Sequence, residues 1–181
     1  MTEKVDGTNI RITSNLAFLL TDPPKIEGRT DKALIQPNLF RYLQEKFTVE
    51  LIANALGTEN QPPGYDSYVT IYGEGYGSNI QAAGPSYRED PSFILFDIKI
   101  DRHWLSRESV KDIASKLGVP TVPDLGIMTE EEIVAYVKSK PMSLCSEKPQ
   151  VMEGIVARSK PVVYDRHGNP FMFKLKCKEF V

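Results

Sequence analysis

The clearest periodicity in the chain lies over residues 106–117. Val110, Ile113, Ala114 and Leu117 recur there at three- and four-residue intervals, and Gly118 follows as a stop. A second helix is predicted over 129–140, because Thr129 and Glu132 have the spacing of a capping box and Pro141 ends the run. Residues 38–56 also read as helical, with Leu39, Tyr42, Leu43 and Phe47 on one face and Thr48 positioned to cap a second helix.

Alternation with a period of two marks the rest. Residues 4–13 read as a strand end, a tight turn at Asp6-Gly7 and a strand with Ile10 and Ile12 on one face. Residues 16–20 offer it a pairing partner, and 21–31 read as a loop. The segments 68–74 and 93–100 are rich in Val, Ile, Tyr and Phe and are predicted strands. Two more cover 153–158 and 171–178, joined through a turn at Arg166-His167-Gly168-Asn169, and 57–67 with its Pro62-Pro63-Gly64 reads as an exposed loop. Strands at both ends and helices in the middle predict an α+β fold with antiparallel sheets and flanking helices.

Composition narrows the class. At 181 residues, with 41% hydrophobic and 25% charged residues, the chain suits a single soluble domain spanning 1–181. No apolar run is long enough to span a membrane, and the first residues lack the apolar core of a signal peptide. Cys145 and Cys177 form neither a metal pattern nor a disulfide framework, which fits reduced thiols in a cytoplasmic protein. Net charge is −2, but residues 154–181 hold six basic side chains against two acidic ones. That local +4 leaves −6 for the remainder, a distribution suited to a phosphate-handling pocket more than to a broad nucleic-acid surface.

The candidate chemistry begins at KVDGTN. Lys4 can be a nucleophile only without its proton, so its ordinary pKa of about 10.4 must be opposed by desolvation or nearby cations. Asp-Gly is also a common hairpin turn, and the tetrapeptide alone reads that way at least as well. Lys174, Lys176 and Lys178 alternate with Phe173, Leu175 and Cys177, so a strand would place all three ammonium groups on one face. That pattern fits a triphosphate-binding strand or a lysine-protected edge strand. Glu74 is flanked by glycines and Glu153 precedes one; each is a candidate ribose or metal partner, or a turn-flanking surface acid. Phe96, inside FILFDI, reads first as core and second as a base-stacking aromatic. Neither His103 nor His167 lies in a zinc or triad pattern.

In chain order, KVDGTN, YGEGYGSNIQ, FILFDI, EGIVARS and FKLKCK resemble the motifs of covalent nucleotidyltransferases, the superfamily of ATP-dependent ligases and mRNA capping enzymes. The Thr8-Asn9 extension, the segment from Glu74 to Gln81 and the FDI triplet are most similar to the phage-type nick-sealing RNA ligase family. The resemblance covers nearly the whole chain and implies the ATP-grasp-like nucleotidyltransferase domain of ligases. It implies that Lys4 forms a phosphoramidate with AMP, that Glu3, Asn9 and Arg29 contact the nucleotide or the RNA end, and that Glu74 lies near the ribose. It further implies that Phe96 stacks on adenine, that Glu153 helps bind a divalent metal and that Lys174 and Lys176 contact the phosphates. Asp6 stands where nick-sealing relatives often carry histidine and receives no role.

The implied reaction has three steps. Lys4 attacks the α-phosphate of ATP, AMP passes to an RNA 5′-phosphate, and an RNA 3′-OH then displaces AMP. The expected cofactors are ATP as AMP donor and Mg2+ or Mn2+; the expected partners are RNA ends, with no membrane. The family carries more chain before the nucleophile and, in many members, a domain after the last motif, so the expectation is an adenylyltransferase core lacking both. The rival readings are a DNA ligase, a capping guanylyltransferase, and a non-catalytic domain that binds nucleotide or RNA ends.

Overall fold

The computed structural model describes residues 1–16, 22–30, 33–58 and 67–180. Residues 17–20 of the predicted strand partner and most of the loop at 57–67 lie outside them. Five strands form one antiparallel sheet in the order β3 (Lys25–Gly28), β2 (Thr8–Asn15), β4 (Tyr68–Tyr76), β5 (Ser92–Ile100) and β6 (His103–Trp104). A second sheet runs β1 (Thr2–Lys4), β7 (Gly154–Arg158) and β8 (Met172–Lys176), also antiparallel. The α+β reading with antiparallel sheets is what the fold shows.

One face of the larger sheet carries Ile10, Ile12, Val69, Ile71, Leu95 and Ile98, all wholly buried. Three helices cover it: α1 (Pro37–Lys46), α2 (Val49–Leu56) and α4 (Arg107–Leu117), through Leu39, Leu43, Ile52, Val110 and Leu117. Each such aliphatic side chain contributes roughly 1.5–3 kcal/mol on leaving water, so this layer is the main source of stability. Phe47 meets Phe93 edge-on at 5.1 Å in its centre. The helix ends follow the sequence signals. Thr48 and Ser106 accept the third backbone N–H of their helices, and Gly57 and Gly118 close them in the left-handed region. Helix α5 (Glu130–Lys138) has the full capping box at Thr129 and Glu132, and it packs Ile133 and Val137 against Ile155 and Ala157 of the small sheet and Cys177 just beyond it. A short helix, α3 (Gly84–Tyr87), follows β4.

Three sequence expectations change. Asp6-Gly7 is not a hairpin turn: β1 pairs with β7 and β2 with β3 and β4, so the dipeptide carries the chain from one sheet to the other. Residues 25–28 are an edge strand instead of loop, paired to β2 from Ile10↔Gly28 to Thr13↔Lys25. Lys178 leaves the face of Lys174 and Lys176, because the chain turns into a 3-10 helix at Cys177–Glu179.

Candidate active site

The two sheets face each other across a cavity of about 560 Å³, within the size range of small-molecule sites. The small sheet brings Lys4 on β1 and Lys174 on β8. The large sheet brings Asn9 on β2, Glu74 on β4 and Phe96 on β5. Asn9 and Glu74 are register partners on neighbouring strands, which fixes them side by side.

Lys4 is held firmly. β1 pairs Thr2↔Val156, Glu3↔Ile155 and Lys4↔Gly154, and the Met1 ammonium donates to Gly126 O at 3.0 Å. Lys4 Nζ donates to Glu153 Oε2 at 2.5 Å, and Lys176 Nζ lies 3.0 Å from Glu153 Oε1. One carboxylate therefore bridges two ammonium groups. Gly154 is required beside it, because a Cβ there would stand 2.0 Å from Leu175 O of the neighbouring strand. Gly7 is required for the same kind of reason: its Cβ would meet Gly75 O at 2.3 Å and Glu74 Cγ at 2.7 Å. The crossover can pass this close to Glu74 only without a side chain.

Phe96 owes its aim to a bulge. Tyr72 pairs with Asp97 and Gly73 with Leu95, so Phe96 has no partner on β4 and the alternation of β5 breaks there. Phe96 and Asp97 then both line the cavity instead of pointing to opposite faces. Phe96 is half-buried beside the cluster of Val5, Tyr76, Tyr87, Ile94 and Val122. Asp97 is buried and receives both Nη atoms of Arg158, with Nη1 at 2.9 Å from Oδ1. Burial pushes the Asp97 carboxyl above its usual range, and the Arg158 guanidinium opposes that rise.

The same competition runs through the acidic and basic groups around Lys4. Burial raises Glu74 to about 7, helped by the charges of Glu153 and Asp6 and opposed by Lys4 and Lys174. Asp6 is raised by burial and then by Glu153. Lys174 is lowered by partial burial of its ammonium and by the charges of Lys4 and Arg29, whereas Lys176 is raised by its hydrogen bond to Glu153. These influences draw Lys4, Asp6, Arg29, Glu74, Glu153, Lys174 and Lys176 into one electrostatic cluster. Arg29 is exposed and belongs to it through its charge on Lys174. Glu3 is the exception among the sequence candidates. It is 1% exposed, and its carboxylate accepts from Ser143 Oγ at 2.5 Å and Leu144 N at 2.9 Å. The residue lines the cavity, but its carboxylate is engaged by that loop.

Sequence reasoning missed the far wall. Tyr72 and Trp104 stack at 5.2 Å, and Trp104 Nε1 donates to Gly168 O at 2.9 Å, so the turn between β7 and β8 closes over the large sheet. Tyr164 of that connection and Met172 at the start of β8 line the cavity too. The usable signal was an aspartate inside an otherwise apolar strand, which demands a buried partner. Among the described residues, no three His, Cys, Asp or Glu side chains are arranged to hold a metal ion. Both Glu153 oxygens are occupied by lysines. This donor set fits an ion shared with a ligand's phosphates and not a cage built by the protein alone.

Two facing antiparallel sheets with a lysine on the short first strand form the nucleotidyltransferase fold of RNA ligases. Two apo mutants of Naegleria gruberi RNA ligases match with TM-scores of 0.63 and 0.62 at 20% and 19% identity, each over 99% of this chain and 49% of the other. An archaeal ATP-dependent RNA ligase matches with a TM-score of 0.48 at 20% identity, over 76% of this chain and 34% of its own. No curated protein sequence matches. The RNA ligase family model covers residues 1–176, and the chain belongs to that family. It spans about half the length of the Naegleria structures.

Proposed function

We propose that this chain is the adenylyltransferase core of an ATP-dependent RNA ligase that joins RNA 3′-OH and 5′-phosphate ends through a lysyl-AMP intermediate. The observation that carries this reading is the Lys4–Glu153–Lys176 bridge set on a cavity that also presents Phe96, Glu74 and Lys174. Phe96 stacks on the adenine, with Asn9 and Glu74 on the sugar side. Lys174, Lys176 and Arg29 supply positive charge for the phosphates.

Lys4 has to give up a proton before it attacks. Glu153, 2.5 Å away, is the acceptor nearest to it, and Lys176 remains to hold the carboxyl when Lys4 moves off. The Nζ lone pair then forms a bond to the α-phosphorus, the bond to the bridging oxygen breaks, and pyrophosphate leaves. AMP then passes from Nζ to an RNA 5′-phosphate, and attack of a 3′-OH on that phosphate releases AMP and joins the broken strand. A magnesium or manganese ion carried on the triphosphate, with Glu153 as the carboxylate that reaches it, would neutralise phosphate charge. Cys145 and Cys177 are free thiols, which supports a reducing, cytoplasmic setting. Among the described residues, no helix is long and apolar enough to cross a membrane.

Labelled ATP and magnesium followed by a denaturing gel tests the proposal. The expected result is a protein–AMP adduct that is lost in Lys4→Ala. Labelling by GTP in place of ATP would point to a capping enzyme, and a folded wild-type chain that takes no label would point to a non-catalytic domain.

A further inference from the structure

The residues on either side of Lys4 are tied into a single loop of hydrogen bonds that no motif of the sequence announces. On one side, the buried Glu3 carboxylate accepts from Ser143 Oγ at 2.5 Å, Leu144 N at 2.9 Å and Cys145 Sγ at 3.4 Å. The same segment continues into α3: Ser146 Oγ donates to Ser86 O at 2.8 Å, Glu147 N to Tyr87 O at 3.0 Å and Lys148 N to Ser86 O at 2.9 Å. On the other side, the Tyr87 hydroxyl accepts from Asp6 N at 3.2 Å. Between them Val5 is 3% exposed and packs on Tyr87, Tyr76 and Val122.

We propose that the 143–148 segment and Tyr87 form a brace beneath the nucleophile strand, with Glu3 and Tyr87 as positioning residues for Lys4. The proposal rests on the adenylyltransferase reading above. A carboxylate costs several kcal/mol to bury unless its oxygens are satisfied, so Glu3 fixes its segment strongly once those three donors are in place. Side chains alternate along β1, so seating Glu3 on one face commits Lys4 to the other, toward Glu153. Tyr87 then stops the chain from sliding where β1 ends and the crossover begins. Displacement of a reacting group by about 1 Å can lower a rate roughly 100-fold, which is why a brace at this place matters to chemistry and not only to stability. Glu3 accordingly acts through Lys4 and makes no side-chain contact with the nucleotide.

The test is the rate of AMP-adduct formation against ATP concentration in Tyr87→Phe, Ser143→Ala, Glu3→Gln and Glu3→Leu. Tyr87→Phe is expected to lower the maximal rate about tenfold, and Glu3→Leu about 100-fold, with half-saturating ATP unchanged. Glu3→Gln, whose amide oxygen still accepts from Leu144 N, is expected to recover part of the loss. If Glu3→Leu does not fold, Tyr87→Phe and Ser143→Ala decide. Wild-type maximal rates in those two, or a raised half-saturating ATP concentration at unchanged maximal rate in Glu3→Gln, overturn the brace.

Absence of any adduct in the wild-type chain sinks the adenylyltransferase reading instead. The brace is then judged by hydrogen exchange in the nucleotide-free protein. Faster exchange across residues 3–6 in Tyr87→Phe, at unchanged melting temperature, supports it; exchange that stays at the wild-type rate overturns it.

Discussion

Lys4 Nζ and Glu153 Oε2 lie 2.5 Å apart, so Lys4, the proposed nucleophile, is held as one half of an ion pair. An ammonium in that pair has no lone pair to offer. The second ammonium on Glu153, from Lys176 at 3.0 Å, holds that carboxyl in place once it has taken the Lys4 proton. Lys176→Met should therefore leave Glu153 with Lys4 as its main ammonium partner and slow adduct formation roughly tenfold at saturating ATP, the value of about 1.4 kcal/mol on the barrier. Single-turnover labelling with ATP measures this. An unchanged rate would mean that Lys176 serves only later steps.

Glu74 carries a pH dependence of stability. Burial raises its carboxyl from 4.5 to about 7 in the folded chain, against the unfolded value near 4.5. The folded protein therefore prefers the protonated acid. Its contribution is complete below the unfolded pKa and is lost as pH rises through about 7. Glu74→Gln does not titrate, so its stability relative to wild type should improve by roughly 3 kcal/mol between pH 4 and pH 8. Urea denaturation of both proteins at the two pH values is the measurement. Parallel stabilities would show that the Glu74 carboxylate is solvated in the folded chain.

Phe96 should affect nucleotide affinity more than stability. It is half-buried, unpaired at the bulge and directed to the cavity. Loss of a stacking ring weakens binding by about 1–2 kcal/mol, so Phe96→Ala is expected to raise half-saturating ATP about tenfold at nearly unchanged maximal rate. Phe96→Trp should retain most of the affinity. A large loss of melting temperature in Phe96→Ala would instead assign the ring to the core.

The helices were legible because their signals are local: Thr48, Ser106 and Thr129 cap, and Gly57 and Gly118 stop, where the sequence says they should. The lysine pair Lys174 and Lys176 was legible for the same reason, as a period-two pattern on one strand. The destination of β1 was not. Asp6-Gly7 has the chemistry of a hairpin turn, yet Lys4 pairs with Gly154, far along the chain, and no local pattern reports such a partner. The edge strand β3 follows Pro23-Pro24 and buries mainly Ile26 and Gly28, too little alternation to register. The bulge at Phe96 depends on pairing between β4 and β5, which is why an aromatic in an apolar run read first as core.

Asp97 and Arg158 give the sharpest stability prediction. Asp97 is 3% exposed on β5, and Arg158, on the opposite sheet, supplies both Nη atoms to it across the cavity. A buried pair of this kind is not strongly stabilising by itself, because both ions lose water. Removing one partner is different. Arg158→Leu leaves an uncompensated buried carboxylate and should cost about 3–5 kcal/mol near neutral pH. The loss should shrink as pH falls, since protonation of Asp97 removes the stranded charge. The double variant Asp97→Asn/Arg158→Leu should recover most of the stability while removing this tie between the two sheets. A thermodynamic cycle from urea denaturation separates these terms. Additive losses in the double variant would mean that the two residues act independently, and that the sheets are held together elsewhere.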